Sequence, residues 1–236
     1  QLESTLVQFS LLVAEQPWIK EIDINPFVVS AKQMLALDAR IVLHDKNVRE
    51  ENLPRLAIRP YPLQYSSKWQ LRDGTPIAIR PIRPEDEPPM VKFHGTLSEE
   101  TVHFRYFGFS KLELRVAHER LTRICFNDYD REIALVAVRP EPDTKEDEII
   151  GVGRLIKLHG VNQAEFAIII SDRCQRRGLG TQLLRLLVDI GRKEGVELIF
   201  GLVLPDNYGM QRVSKKLGFT LSFDRLAEVM RAELKL

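Results

Sequence analysis

The residues best suited to chemistry form one arginine- and glycine-rich segment, Gln175-Arg176-Arg177-Gly178-Leu179-Gly180-Thr181. The segment lies between a predicted strand and a predicted helix, so the first N–H groups of that helix have no partners within it. Together with the helix dipole, these groups favour a bound phosphate, which Arg176 and Arg177 would also attract. Glycine suits such a segment because a Cβ would block the close approach of a pyrophosphate.

The segment lacks the features of two common nucleotide-binding loops. It has no Gly-Lys-Ser/Thr ending, which a Walker loop requires. The dinucleotide fingerprint needs a third glycine and a parallel strand–helix–strand unit, whereas the strand before this segment belongs to a meander. On Gly178 and Gly180 alone, a phosphate-binding loop and a simple strand-to-helix turn are equally acceptable interpretations.

Hydrophobic periodicity predicts the elements that position this segment. Helix starts are predicted at Pro84-Glu85-Asp86 and at Ser98, where a proline, acidic residues or an N-cap serine favour them. The meander should be antiparallel. The continuous apolar run after the main helix is typical of a strand that is covered on both faces. The predicted elements are a strand at Trp69–Ile82, a helical run at Leu112–Cys125, strands at Glu132–Val138, Ile149–Leu158 and Ala164–Ile170, a helix at Leu179–Lys193, a strand at Val196–Leu204, a short helix from Asn207 to Gly218, and one or two strands in the tail.

The pattern Gln-x-x-Gly-x-Gly, between a strand and a helix, resembles the acetyl-CoA signature of the GNAT superfamily. A second signature follows at the distance that this superfamily shows, with Asn207 and then Leu217-Gly218-Phe219 after one short helix. The resemblance implies an α/β (α+β) GNAT fold, with a mixed, mostly antiparallel central sheet flanked by helices. It also implies N-acetyltransferase activity with acetyl-CoA as cosubstrate.

The same resemblance implies where acetyl-CoA binds. In this superfamily it lies in a V-shaped opening between two parallel strands, which here correspond to Ala164–Ile170 and Val196–Leu204. The pantetheine would pair with the backbone of the first strand, and the pyrophosphate would bind the amides of the glycine-rich segment. Asn207 would either contact the pantetheine arm or cap its own helix. The cofactor-binding residues so implied are Ile168, Ile169, Ile170, Gln175, Arg176, Arg177, Gly178, Leu179, Gly180, Thr181 and Asn207.

Glu165 is the candidate catalytic base. An amine must be neutral to attack a thioester, and deprotonating a free lysine near neutral pH costs about 4–5 kcal/mol. Strand alternation puts Glu165 on the same side as Ala167 and Ile169, and related enzymes carry a glutamate at this position. The alternative is an exposed strand carboxylate without a catalytic role.

The general acid that many GNAT enzymes use is missing. Their tyrosine, seven residues after the asparagine, corresponds here to Ser214. A thiolate with a pKa near that of free cysteine can leave without a general acid. Tyr208 and Cys174 are close in sequence and are weaker candidates for that role.

The N-terminal region carries a second resemblance. Residues 1–45 are predicted to form a helix and a hairpin, with Met34–Leu43 as the return strand. Glu21, Asp23 and Asn25 put three oxygen-bearing side chains on one strand face, which are ligands that Mg²⁺ prefers. The stretch resembles the end of the ATP-grasp module in NDP-forming acyl-CoA synthetases. Since the rest of that module is missing, neither a bound metal nor ATP turnover is expected, and an inert hairpin is the simpler interpretation.

The combination of an acyl-CoA synthetase-like region followed by a GNAT domain resembles the bacterial Pat-type protein lysine acetyltransferases. This implies a protein acceptor, namely a lysine of AMP-forming acetyl-CoA synthetase, and allows for a homo-oligomer of the full-length protein. A small-molecule amine acetyltransferase and a non-catalytic acetyl-CoA sensor stay open as alternatives. The expected domains are an ATP-grasp remnant at 1–45, a polar, proline-containing linker at 46–67 and a GNAT domain at 68–236.

Composition excludes other classes. The 236 residues include 34 basic and 33 acidic side chains, for a formal net charge of +1. That balance gives no electrostatic reason to expect nucleic acid or an anionic membrane as partner. Two cysteines, Cys125 and Cys174, are too few for a disulfide framework, and we expect free thiols in the cytoplasm. Because Gln1 takes the place of an initiator methionine, we expect the chain to be part of a longer protein.

Overall fold

The chain separates into two compact units, Gln1–Pro60 and Tyr61–Leu236. The structure, a computed structural model, describes residues 2–30, 33–54, 59, 61–140 and 147–236. The first unit contains helix α1 (Leu2–Glu15) and strands β1 (Ile19–Asp23), β2 (Phe27–Val29), β3 (Met34–Ala36) and β4 (Arg40–Leu43). Strand β1 pairs with β4 and β2 with β3, both antiparallel. The predicted return strand is therefore two strands, which belong to two nested hairpins.

The second unit is built on one sheet of eight strands in the order β11-β12-β10-β9-β8-β7-β6-β5. Only β9 and β10 run parallel; the other neighbours are antiparallel, which confirms the mixed, mostly antiparallel sheet. Its elements are β5 (Ser67–Gln70), β6 (Pro76–Pro81), α2 (Glu87–Gly95), α3 (Glu99–Tyr106), α4 (Leu112–Arg115), α5 (His118–Cys125), β7 (Glu132–Pro140), β8 (Asp147–Lys157), β9 (Gln163–Ile170), α6 (Leu179–Lys193), β10 (Leu198–Val203), α7 (Tyr208–Lys216), β11 (Thr220–Asp224) and β12 (Val229–Lys235).

Hydrophobic cores cover both faces of this sheet. On one face, the apolar stripe of α6 packs on the sheet together with Ala164 and Phe166 of β9. On the other face, Met90 and Phe93 of α2 pack with α5 and with Ile169 of β9. Alternate side chains of β9 thus point to opposite faces, as its pleat requires. The sheet therefore separates an α6 face from an α2 face.

Two predicted elements are each divided in the structure. The strand predicted at Trp69–Ile82 is the hairpin β5–β6, because Gly74 adopts a left-handed φ of 86° and Asp73 accepts the N–H of Thr75 at 3.1 Å. The helical run predicted at Leu112–Cys125 is broken between α4 and α5, where Ala117 has an extended ψ of 132°. In both places a local turn interrupts an otherwise suitable periodicity.

The predicted linker, 46–67, is divided between the two units. Residues 55–58 and 60 lie outside the described residues. Tyr61 and Tyr65 pack against the core of the second unit, and β5 begins at Ser67. The second unit therefore includes residues that were expected in the linker, because Tyr65 is buried in its core and Tyr61 packs against that core.

Asp172 ties the start of α3 to the turn that leads from β9 to α6. One carboxylate oxygen accepts the N–H of Ser98 at 2.8 Å, and the other accepts the hydroxyls of Ser98 at 2.7 Å and Thr101 at 2.8 Å. Burial raises the pKa of Asp172, but the hydrogen bonds from Ser98 and Thr101 outweigh it and hold the pKa below its ordinary value. The ionised carboxylate thus fixes two elements that border the glycine-rich segment.

We predict that Asp172→Asn lowers the unfolding midpoint at pH 7 by about 2–4 °C, which corresponds to about 1 kcal/mol for hydrogen bonds of an exposed carboxylate. A depressed folded-state pKa stabilises the fold above the ordinary pKa near 4, and this contribution is lost as the pH falls through the lower folded value. The difference from wild type should therefore shrink below about pH 3.8. Thermal unfolding at several pH values measures this.

Asp130→Asn is the matched control, because its exposed carboxylate accepts no hydrogen bond among the described residues. It should leave the midpoint within about 1 °C of wild type. An Asp172→Asn deficit that stays constant from pH 7 to pH 3 would contradict the role given to the ionised carboxylate.

Candidate functional site

Strands β9 and β10 pair over three residues and then separate. Their parallel register ends at Phe200 opposite Glu165, although β9 continues to Ile170 and β10 to Val203. Beyond that point, β8 still pairs with β9, and β12 still pairs with β10. The sheet is therefore held on both sides of a wedge-shaped opening.

The backbone of β9 presents hydrogen-bonding groups to this opening. The N–H of Ser171 donates to the carbonyl of Ile150 at 3.0 Å, and hydrogen-bonded pairs alternate along an antiparallel ladder. Ile169 and Ala167 therefore point their N–H and C=O groups to β8, whereas Ile168 and Ile170 point theirs to the opening. Of the three isoleucines expected at the cofactor, Ile169 has its backbone turned away and its side chain in the core of the α2 face.

Gly201 follows Phe200, the last residue of β10 that pairs with β9. Its lack of a side chain makes room for an aromatic ring from β9. A Cβ at this position would lie 2.5 Å from the ring of Phe166. That ring also packs edge to face on Phe219, with 5.3 Å between centroids. The aromatic pair packs on the α6 face next to the opening, so that side of the opening is closed by apolar side chains.

The glycine-rich segment forms the start of α6, as the sequence predicts. Gly178 is the N-cap residue with a left-handed φ of 90°, and Leu179 is the first helical residue. Within the described part of the chain, the N–H groups of Leu179, Gly180 and Thr181 donate no hydrogen bond. A Cβ on Gly180 would meet only the end of the Ile170 side chain, at 3.2 Å. An oxyanion can therefore approach these amides closely, which fits the pyrophosphate of the implied cosubstrate.

The charges around this turn are not all available to a phosphate. Arg177 forms an ion pair with Asp73 at 2.6 Å, with about 40% of each side chain exposed. Arg176 is exposed, has a left-handed φ of 60°, and makes no ion pair among the described residues. Arg72, which the sequence analysis missed, donates its backbone N–H to the backbone carbonyl of Arg177. Its side chain packs against Gly178. The Asp73-Gly74 turn that brings Arg72 here was the available sequence signal.

Gln175 has a structural role in this arrangement. Its side-chain amide donates to Thr101 at 2.9 Å and to the carbonyl of Ile170 and the carboxylate of Asp172, both at 3.3 Å. These contacts occupy its donor group and close the turn between β9 and α6. Gln175 therefore shapes the glycine-rich segment from within.

The second signature forms α7. Asn207 is its N-cap, and its side-chain oxygen accepts the N–H of Met210 at 3.0 Å. Its side-chain NH₂ donates to no group in the described residues, so the cap leaves a donor available.

The structure places Ser214, which stands at the position of the usual tyrosine, and the two weaker general-acid candidates, Cys174 and Tyr208, in different surroundings. Ser214 is fully buried, and its hydroxyl has no partner in the described residues. Cys174 is buried in the core of the α6 face, where burial raises the pKa of its thiol. Tyr208 is 68% exposed at the start of α7.

Glu165 stands where β9 and β10 separate, at the last paired position. Its side chain is half-buried and shares a strand face with Ala167 and Ile169, as predicted. It makes no hydrogen bond or ion pair within the described residues, so its oxygens are free to accept a proton. Glu165 interacts through space with the Arg105 guanidinium: burial lowers the pKa of Arg105, and the Glu165 carboxylate opposes that shift.

The oxygen-bearing residues of the first unit, which resemble metal ligands in sequence, lie on or next to β1. Glu21 and Asp23 are exposed on β1. In the part of the chain that the structure describes, no three His, Cys, Asp or Glu side chains are grouped to hold a metal ion. None of the described helices has the length and apolar character needed to cross a membrane.

Comparison with known proteins agrees with this geometry. Residues 77–220 match the family model described as acetyltransferase (GNAT) domain, and residues 1–43 match an ATP-grasp domain model. The chain is 32% identical over 149 residues to Acetyltransferase PA5475 of Pseudomonas aeruginosa, a match that covers 63% of this chain and 77% of that protein.

Two further matches concern acetyltransferases called Pat. Acetyltransferase Pat of Mycolicibacterium smegmatis is 27% identical over 259 residues, covering 97% of this chain and 73% of that protein. The GNAT domain of S. lividans PAT superposes with a TM-score of 0.67 at 26% identity, covering 75% of this chain and 99% of that domain. The GNAT family model matches more than half of the chain, and the separated strands and the unpaired amides of α6 agree with that match. The chain therefore belongs to the GNAT acetyltransferases and is an N-acetyltransferase.

Proposed function

We propose that this protein transfers the acetyl group of acetyl-CoA to a lysine ε-amine of a protein acceptor, with Glu165 as general base. The observation that carries the proposal is the separation of β9 and β10 directly beyond Glu165. It combines free backbone groups, unpaired amides at the start of α6 and an unpaired carboxylate in one region. GNAT acetyltransferases use acetyl-CoA or CoA, and these groups suit its pantetheine, pyrophosphate and thioester in turn.

Each part of the cosubstrate has a counterpart among these residues. The backbone of Ile168 and the N–H of Ile170 would pair with the pantetheine amides. The first N–H groups of α6 would bind the pyrophosphate, with Arg72 and Arg176 adding positive charge. The free NH₂ of Asn207 would donate to the pantetheine arm while its oxygen caps α7, so both roles considered for this residue hold together.

Glu165 would accept a proton from the lysine ammonium, directly or through a water, as the amine attacks the thioester carbonyl. The carbon–sulfur bond then breaks, and CoA leaves as a thiolate. Ser214 is enclosed in the core, so we infer that the thiolate leaves without a general acid at the position of the usual tyrosine.

Two observations favour a protein acceptor. The first unit matches an ATP-grasp domain model, and the alignment with the Pat acetyltransferase covers 97% of this chain. In addition, the chain that follows α3 exposes large apolar side chains: Phe109, before α4, is 84% exposed, and Leu114, within α4, is 65% exposed. Exposed apolar side chains of this size suit a macromolecular partner better than a small amine. We propose AMP-forming acetyl-CoA synthetase as that partner.

Blocking the close approach of the pyrophosphate to the first amides of α6 should weaken the binding of acetyl-CoA. We predict that Gly180→Ala raises the Kd for acetyl-CoA about tenfold, because a methyl group would stand between the first-turn amides and the pyrophosphate. Alanine is the better helix former, so the fold should not suffer. Isothermal titration calorimetry with acetyl-CoA measures the change. Gly95→Ala, with open space around its added Cβ, should bind as wild type does. Unchanged affinity in Gly180→Ala would exclude this placement of the pyrophosphate.

Removing the base should slow the chemical step. We predict that Glu165→Gln lowers kcat by about 10²–10³-fold, while the Kd for acetyl-CoA stays within twofold of wild type. Acetylation of purified AMP-forming acetyl-CoA synthetase, followed by mass spectrometry, provides the rate.

Glu197→Gln is the matched control, since it removes an exposed carboxylate just before β10. It should transfer acetyl at the wild-type rate. Equal labelling by wild type and Glu165→Gln would mean that another group accepts the proton. Labelling of a small-amine panel but not of the synthetase would favour the small-molecule alternative, and tight acetyl-CoA binding without transfer to any amine would favour a sensor.

A further inference from the structure

A pocket on the α2 face lies beside Glu165 and is lined by cationic side chains. Ala167 and Ile169, the next two residues of β9 on that face, form part of its wall. The polar side chains around it are His94 of α2, Arg105 and Tyr106 of α3, Arg120 of α5 and Arg154 of β8. Four separate elements thus converge on one small space next to the candidate base.

The positive charge in this pocket is incompletely balanced. Arg154 forms an ion pair with Glu132 of the neighbouring strand β7. Arg105 and Arg120 form no ion pair with any described carboxylate, and both lie near the ring of Tyr106, at 5.2 and 5.0 Å from its centroid. Burial lowers the pKa of Arg105, and the nearby Arg154 and Arg120 guanidinium groups lower it further. Half-buried like charges without a counter-ion are costly.

His94 adds an unpartnered polar group. The residue is only 2% exposed, and neither ring nitrogen has a hydrogen-bond partner in the described residues. Burial and the neighbouring Arg115 and Arg120 lower the pKa of His94 to about 4, so the ring is neutral at pH 7 and offers one N–H donor. A buried imidazole without partners is unfavourable unless a ligand completes its hydrogen bonds.

Neither Glu165 nor the cosubstrate supplies the missing negative charge. Glu165 attracts Arg105 through space but forms no ion pair with it, and one carboxylate cannot balance two guanidinium groups. The pyrophosphate proposed above would lie at the start of α6, and α6 packs on the opposite face of the sheet. The pocket therefore requires another anionic group, on the side from which the amine approaches.

We propose that this pocket binds a carboxylate of the acceptor, with Arg120 and Arg105 donating to its oxygens and His94 completing the site. The inference rests on the proposed function, because it assigns the pocket to the acceptor side of that reaction. The carboxylate comes from an acidic residue beside the acceptor lysine or from the α-carboxylate of a free amino acid. In either case the pocket would select amines that carry a carboxylate within a few bonds.

Binding of a simple carboxylate tests the pocket without any transfer reaction. Butyrate and butyramide have nearly the same shape and differ in charge, and NMR of the His94 ring signals reports their binding. We expect butyrate to bind wild type at least tenfold more tightly than butyramide and to shift the His94 signals. Arg120→Gln should abolish this preference, whereas Arg123→Gln, which removes an exposed charge from the same helix, should keep it. Equal binding of the two probes by wild type, or equal loss in both variants, would overturn the proposal.

Transfer assays then separate the two sources of the carboxylate. One pair of acceptors is Nα-acetyl-lysine and its amide, and the other is a blocked tetrapeptide with Lys-Glu or Lys-Gln at its centre. We expect a preference of about tenfold in kcat/KM for the charged member of one pair, and loss of that preference in Arg120→Gln. Butyrate binding without acetylation of any amine would support a carboxylate site in the pocket and would reject the proposed function. Acetylation of lysines with no preference for carboxylate would reject the pocket assignment alone.

Discussion

The separation of β9 from β10 is the constraint on which the rest of the second unit depends. A sheet that stops pairing in its centre leaves N–H and C=O groups without partners, and such groups are unfavourable when they are also shielded from water. The chain compensates on both sides. Strand β8 keeps β9 in register up to Ile170, and β12 keeps β10 in register up to Val203. Phe166 fills the space that the missing side chain of Gly201 leaves. The groups still unpaired are those that a linear, amide-bearing molecule can satisfy.

The two faces of the sheet divide the proposed chemistry. The α6 face carries the helix start with its free amides, where negative charge is favoured. The α2 face carries Glu165 and the cationic pocket, where an amine and its neighbouring groups would lie. Asp172 and Gln175 join the two sides, because they link the start of α3 to the turn before α6. A change of position in either helix start would therefore affect both halves of the site.

The sequence was sufficient for the elements that have strong local signals. The glycine-rich segment, the stripe of α6 and the cap residue Asn207 predicted the cofactor side of the site, since consecutive residues form it. The strand face of Glu165 followed from alternation, whereas its proposed role as base came from the family resemblance. The hairpin turn at Asp73-Gly74 and the break at Ala117 were missed, because hydrophobic periodicity continues across both. The cationic pocket could not be predicted at all. His94, Arg105, Arg120 and Arg154 are far apart in sequence and meet only through the packing of α2, α3 and α5 on the sheet.

The contact between Trp69 and Gly178 has a spectroscopic consequence. A Cβ on Gly178 would lie 3.4 Å from the indole ring, so the ring rests directly on the N-cap of α6. Indole emission depends on the polarity and charge within a few ångströms. Trp18, the other tryptophan of the chain, belongs to the first unit. The second unit thus contains its own fluorophore at the point where an anion would arrive, and no external label is needed to follow that event in solution.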